Sequence, residues 1–122
     1  EKIVRIDRER FASYRPEARS VFPVTAPRLR APAVFDTQTV LPLRRCDIDF
    51  NGHVHNTRYL EFALEALPET MRCDAFRGFR IVYPKAVKDT KTVTLKYTAA
   101  DNGAFVCLYS ADTLCTIVRF ET

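Results

Sequence analysis

The second half of the chain alternates apolar and polar residues. Val93, Leu95 and Tyr97 interleave with Thr92, Thr94 and Lys96, the two-residue period of a strand buried on one face. Four strands are predicted there, at 77–86, 91–99, 104–110 and 113–120. "VKDT" separates the first pair, "DNG" at 101–103 is a strong turn signal, and "SAD" closes a hairpin between the last two. Upstream, "TRYLEFALEAL" (57–67) has Tyr59, Leu60, Phe62, Ala63, Leu64, Ala66 and Leu67 around most of a helical circumference. That pattern predicts a helix enclosed by other structure. Asn56 is placed to cap it and Pro68 to end it. Residues 37–46 read as an earlier strand, with Pro42 marking an edge or a bulge. Before residue 34, Pro16, Pro23, Pro27 and Pro32 forbid a long regular element, leaving room for a short helix from Asp7 to about Tyr14.

The order is strand, buried helix, antiparallel meander. A sheet wrapped around one long central helix is the economical way to bury that helix, so the expected fold is α+β, a hotdog. With 122 residues there is one core, placed in a domain over 34–122 and preceded by a Pro-rich basic arm or interdomain linker over 1–33.

Composition narrows the function classes. Hydrophobic residues make up 47% and charged residues 28%, as in ordinary globular chains, and no apolar run approaches the roughly 18 residues that span a bilayer. A cytoplasmic protein is expected. Residues 1–33 hold eight basic and four acidic side chains, which accounts for the whole net charge of +4. No aromatic platform or recognised motif accompanies these cations, so the arm reads as solvated or as facing an acidic protein partner, not nucleic acid. Cys46, Cys73, Cys107 and Cys115 lack CxxC spacing and read as reduced thiols, the latter pair packed as small hydrophobes in strands.

The candidate chemistry sits in "DIDFNGHVH" (47–55). Asp47, Asp49, Asn51 and Gly52 match the opening of a calcium loop, but the twelfth position, which needs an acid, is Arg58. His53 and His55 alone lack a third ligand at a recognised spacing. No metal and no organic cofactor are therefore expected.

The wider stretch "RRCDIDFNGHVHNTRYLEFALEALPE" (44–69) resembles the motif of acyl-acyl carrier protein thioesterases, "RRxDxDxNxHVNNxxYxxxxLExxP". Arg44, Arg45, Asp47, Asp49, Asn51, His53, Val54, Asn56, Tyr59, Leu64, Glu65 and Pro68 carry the match. The resemblance implies hydrolysis of an acyl-acyl carrier protein thioester in fatty acid biosynthesis. It also implies the C-terminal one of two hotdog domains, partnered by an N-terminal half or by a second copy. Asp49 matches the catalytic aspartate and would act as base or nucleophile. Asn51 would orient water or carboxylate, and His53 would donate a hydrogen bond or position the thioester. Gly52 permits a sharp turn, the amides near Asn56 would polarise the carbonyl, and Glu65 has a supporting role. Asp47 reads as a structural residue holding the loop. Two positions depart from the family: His55 replaces an asparagine, and Ala86 of "YPKAV" replaces a glutamate. The second departure implies a slow enzyme, or one in which Glu65 or Asp89 has taken over. Two other readings are a non-catalytic acyl-binding or assembly module and an acyl-coenzyme A thioesterase.

Overall fold

The computed structural model describes residues 5–15, 17, 19, 27–71, 73–88 and 90–122. The expectations for Pro16, Pro23 and Asp89 lie outside the described residues. In the arm, Asp7 caps a short helix, α1 (Arg8–Ser13), by accepting from the Glu9 amide at 3.1 Å, and no residue of that helix is buried. The compact part consists of β1 (Thr37–Pro42), α2 (Asn56–Glu65), β2 (Gly78–Val82), β3 (Thr92–Ala100), β4 (Gly103–Ser110) and β5 (Thr113–Glu121).

The strands form one antiparallel sheet in the order β1-β3-β4-β5-β2. This is the expected hotdog, with one difference in the meander. The sequence pattern places 77–86 beside 91–99, but β2 pairs with β5 at the far edge, Gly78 opposite Glu121. The reason lies between them. Pro84 ends β2, and residues 87 and 88 turn away to pair with Val54 and His53, so no tight hairpin to β3 forms. β1 is an edge strand, as Pro42 foretold, and stops there because Arg45–Asp47 winds into a 3₁₀ turn.

Helix α2 lays Tyr59, Phe62 and Ala63 on the sheet, against Leu95, Leu108 and Cys115 toward one end and Val106, Val118 and Phe120 toward the other. The enclosure predicted for this helix is incomplete. Leu60 and Leu64 are only half-buried, and Glu61 and Glu65 face outward. The helix also ends at Glu65, two residues short of the prediction, because Pro68 disfavours helical geometry just before it. Among the described residues, no helix is long and apolar enough to cross a membrane.

Cys107 and Cys115 are buried in β4 and β5, and burial pushes the Cys107 thiol up to about 12 and raises that of Cys115. Neither is a ready nucleophile.

Two glycines have positive φ for different reasons. Gly103, at φ 143° in the "DNG" hairpin, lies so close to β5 that a Cβ would sit 2.0 Å from the Phe120 carbonyl oxygen. Gly52, at φ 75°, has open space around it. Gly103→Ala is expected to cost more than about 2 kcal/mol, because backbone must move, and Gly52→Ala only about 1 kcal/mol of left-handed strain. Urea titration of both variants checks the difference, and equal midpoints would contradict the close approach.

Candidate active site

The loop between β1 and α2 is built around two carboxylates with opposite fates. Asp47 has no solvent exposure. Its Oδ2 accepts from the Arg44 amide at 2.7 Å and from Arg44 Nε at 3.3 Å, while Arg44 Nη2 donates to Oδ1 at 3.0 Å. Arg58, on α2, brings its Nε to 3.7 Å from the same Oδ1. The residue that defeats a calcium reading is thus a partner of the first carboxylate. Burial pushes the Asp47 carboxyl upward, but the hydrogen bonds and charge of Arg44, joined by the charge of Arg58, outweigh it and hold the group below its ordinary value. The Asp47 carbonyl also accepts from the His55 amide at 2.9 Å. Asp47 therefore holds the loop, as its local hydrogen-bonding pattern suggested, and ties it to the helix as well.

Asp49 is half-buried and bonded only by its own loop. Its Oδ1 accepts from the amides of Asn51 at 2.8 Å and His53 at 3.1 Å. Oδ2 has no hydrogen-bond partner among the described residues. The Asp49 amide donates to the His53 carbonyl at 2.8 Å, and Ile48 bridges Val54, so the ends of the loop meet with Asn51 and Gly52 at the tip. Asp49 and His53 are brought together, and Asn51 is exposed beside them. Phe50, between Asp49 and Asn51, is 98% exposed.

The helix start differs from the prediction. His55, not Asn56, is the N-cap: its Nδ1 lies 3.4 Å from the Thr57 amide and 2.9 Å from Thr57 Oγ1. An imidazole nitrogen accepts here as an asparagine oxygen would, which the preference for amide and hydroxyl caps obscured. Asn56 becomes the first helical residue, its amide without a partner among the described residues and its carbonyl accepting from the Tyr83 hydroxyl at 3.3 Å. Glu65 stands at the opposite end of α2, nine residues and about 14 Å along the axis from Asn56. It lines a groove with Leu41 and Arg44, and α2 does not bring it to Asp49.

Behind the loop, Val54 donates to the Val87 carbonyl at 3.0 Å, and the Val87 amide donates to the buried Tyr59 hydroxyl at 2.9 Å. Tyr59 was legible only as an apolar helix position. Its hydroxyl pins the 87–88 segment to the helix, a role no local spacing signals. His53 bridges Lys88 in the same segment, so the antiparallel register sets exposed Ala86 opposite His55.

A five-stranded antiparallel sheet packed on one helix, with a carboxylate loop at that helix's N-terminus, defines the hotdog class of domain. The family model of the acyl-ACP thioesterase C-terminal domain matches residues 32–113, and the chain belongs to that family. Solved structures agree in fold. The 12:0-ACP thioesterase from Umbellularia californica is 16% identical with a TM-score of 0.65, over 80% of this chain and 39% of its own. An acyl-ACP thioesterase from Bacteroides thetaiotaomicron is 19% identical with a TM-score of 0.62, over 84% of this chain and 44% of its own. A protein assigned as an oleoyl thioesterase, from Lactobacillus plantarum, is 25% identical with a TM-score of 0.62, over 98% and 50%. The chain thus spans half or less of these three. No curated protein matches it in sequence.

The depressed Asp47 carboxyl sets a pH dependence. A folded value below the unfolded one, near 3.9, gives stability that is present above about pH 4 and lost as pH falls through the folded value. Asp47→Ala is expected to cost roughly 3 kcal/mol at pH 7, since it leaves the surrounding donors without their buried acceptor. Denaturant titrations at pH 7 and pH 3 should show the gap from wild type narrowing in acid. An undiminished gap at pH 3 would contradict the ion pairing.

Proposed function

We propose that this chain hydrolyses acyl-acyl carrier protein thioesters, releasing a free fatty acid, as the catalytic half of a two-hotdog enzyme of fatty acid biosynthesis. The observation that carries the reading is the Asp49 carboxylate, with Oδ1 fixed by the Asn51 and His53 amides and Oδ2 left without a hydrogen-bond partner among the described residues. In this reading, Asp49 Oδ2 takes a proton from water as the water attacks the thioester carbonyl, or attacks the carbonyl itself. Asn51 orients the attacking group, and His53 positions the thioester. The Asn56 amide, at the positive end of α2, faces the developing oxyanion. Water adds across the C–S bond, so the products are a carboxylic acid and the carrier thiol. Gly52 keeps the loop tip compact, and Glu65 is assigned to the groove beside β1 in place of a role next to Asp49.

The partner half has support in the uncovered side of α2. Leu60 and Leu64 join Phe76, Phe79 and Phe120 in an apolar groove of about 360 Å³, a surface suited to a second hotdog domain.

Asp49→Asn keeps the loop's acceptor oxygen but removes the base. It should lower turnover by at least 10²-fold, in the range of general-base contributions, with little change in melting temperature. The assay is fatty acid release from a panel of acyl-carrier-protein thioesters set beside the matching coenzyme A thioesters. Near-normal turnover in Asp49→Asn would remove Asp49 from the chemistry. Preference for coenzyme A thioesters would replace the carrier assignment, and no release from any thioester would favour a binding module.

A further inference from the structure

Helix α2 and the Asp49 loop are joined through a third piece of chain, the 87–88 segment. The buried Tyr59 hydroxyl accepts from the Val87 amide at 2.9 Å, and the Val87 carbonyl accepts from the Val54 amide at 3.0 Å. Val54 follows His53, whose amide donates to Asp49 Oδ1 at 3.1 Å and whose carbonyl accepts from the Asp49 amide at 2.8 Å. Lys88 and His53 pair as an isolated antiparallel bridge. Hydrogen bonds in series thus lead from one phenol oxygen, through Val87, Val54 and His53, to the carboxylate proposed to react.

Little else aims this segment. Residues 83–86 and Lys88 are exposed, and Val87 alone enters the core, in one cluster with Val54, Tyr59 and Leu95. Apolar burial is non-directional, so it holds the Val87 side chain at depth but leaves the aim of its amide and carbonyl to hydrogen bonds. The Lys85 amide reaches the Cys115 carbonyl only at 3.4 Å, longer than an ordinary bond. Tyr59, by contrast, is well fixed. Its ring packs edge-on against Tyr83 with centroids 5.3 Å apart, and the Tyr83 hydroxyl donates to the Asn56 carbonyl of the same helix at 3.3 Å. Burial pushes the Tyr59 hydroxyl above its ordinary value, so it stays neutral and is no base.

We infer that Tyr59 is a positioning residue for the hydrolytic centre: its hydroxyl holds the Val87 amide and, through Val87 and His53, sets the direction of the Asp49 carboxylate. The inference rests on the thioester reading above and adds how the carboxylate is aimed. Tyr59 touches no substrate in this role. Phenylalanine at position 59 keeps the ring and loses the acceptor. The Val87 amide is then buried without a partner, so the segment shifts to satisfy it, and Val54, His53 and Asp49 follow. A misplacement of about 1 Å at a reacting group is worth up to 10²-fold in rate, and a partial one roughly tenfold.

The test compares wild type with Tyr59→Phe and with Val106→Ala, which truncates the core in β4 away from these bonds and controls for lost stability. On the carrier-protein or coenzyme A thioester that wild type prefers, Tyr59→Phe should lower kcat roughly tenfold and leave KM within about twofold. Val106→Ala should change neither. In amide NMR spectra, Tyr59→Phe should move the Val87, Val54, His53 and Asp49 resonances and speed hydrogen exchange at Val87, with Phe105 in β4 unmoved. An unchanged kcat in Tyr59→Phe, or the same loss in Val106→Ala, would overturn the inference. So would a rise in KM alone, which would put Tyr59 in substrate binding. If wild type hydrolyses neither thioester, the thioester reading fails and the spectra decide by themselves. A perturbation that reaches His53 and Asp49 then supports the positioning, and one that stops at Val87 overturns it.

Discussion

The buried carboxylate of Asp47 is the constraint on which the site depends. A charge without solvent exposure is sustained only by full compensation, and here it receives hydrogen bonds from Arg44 before it and an ion pair from Arg58 after it. Those residues lie on either side of the loop, so satisfying the charge sets where the chain leaves β1 and where α2 begins. Asp49 can then be presented half-open. The loop needs no further help from its side chain beyond the two amides on Oδ1. One acid is fully consumed by structure, and its neighbour two residues on retains an oxygen for chemistry.

The helix and sheet divide their labour in a related way. Tyr59, Phe62 and Ala63 fasten α2 to the sheet, while Leu60 and Leu64 stay half-exposed. A hydrophobic effect of roughly 25 cal/mol per Å² makes such a surface costly in water, so an apolar stripe wider than the sheet's cover has room for a further layer. The sheet has five strands, with β1 and β2 at its edges.

Much of this was legible in the residues. The period-two alternation in 92–97 and the two short turns gave β3, β4 and β5 closely, because hairpins are local and their turn chemistry is explicit. The pairing of β2 was not legible. Gly78 and Glu121 meet across 43 positions, and nothing in a short window signals which edge a strand will join. In the site, "DIDFNGHVH" announced the loop, and the i,i+3 spacing of Arg44 and Asp47 was available to read. In the sequence Arg58 reads as an absent calcium ligand, Tyr59 as core and a motif position, and His55 as half of an incomplete metal pair and a departure from a motif. Each acts through a contact distant in sequence or through an atom that its usual class label ignores.

An isolated bridge, Ile48 to Val54, closes the loop, and another, His53 to Lys88, joins it to the 87–88 segment, whereas β4 is paired along both sides. Native proteins open unevenly, and regions held by few bonds open at a lower free energy than the centre of a sheet. Here the weakly cross-linked region contains Asp49, the carboxylate proposed to react, and the strongly cross-linked one contains none of the proposed chemistry. Loosening the first does not require unfolding the second. Sequence change around residues 47–55 and 86–88 can therefore retune or abolish the proposed activity while a folded domain persists.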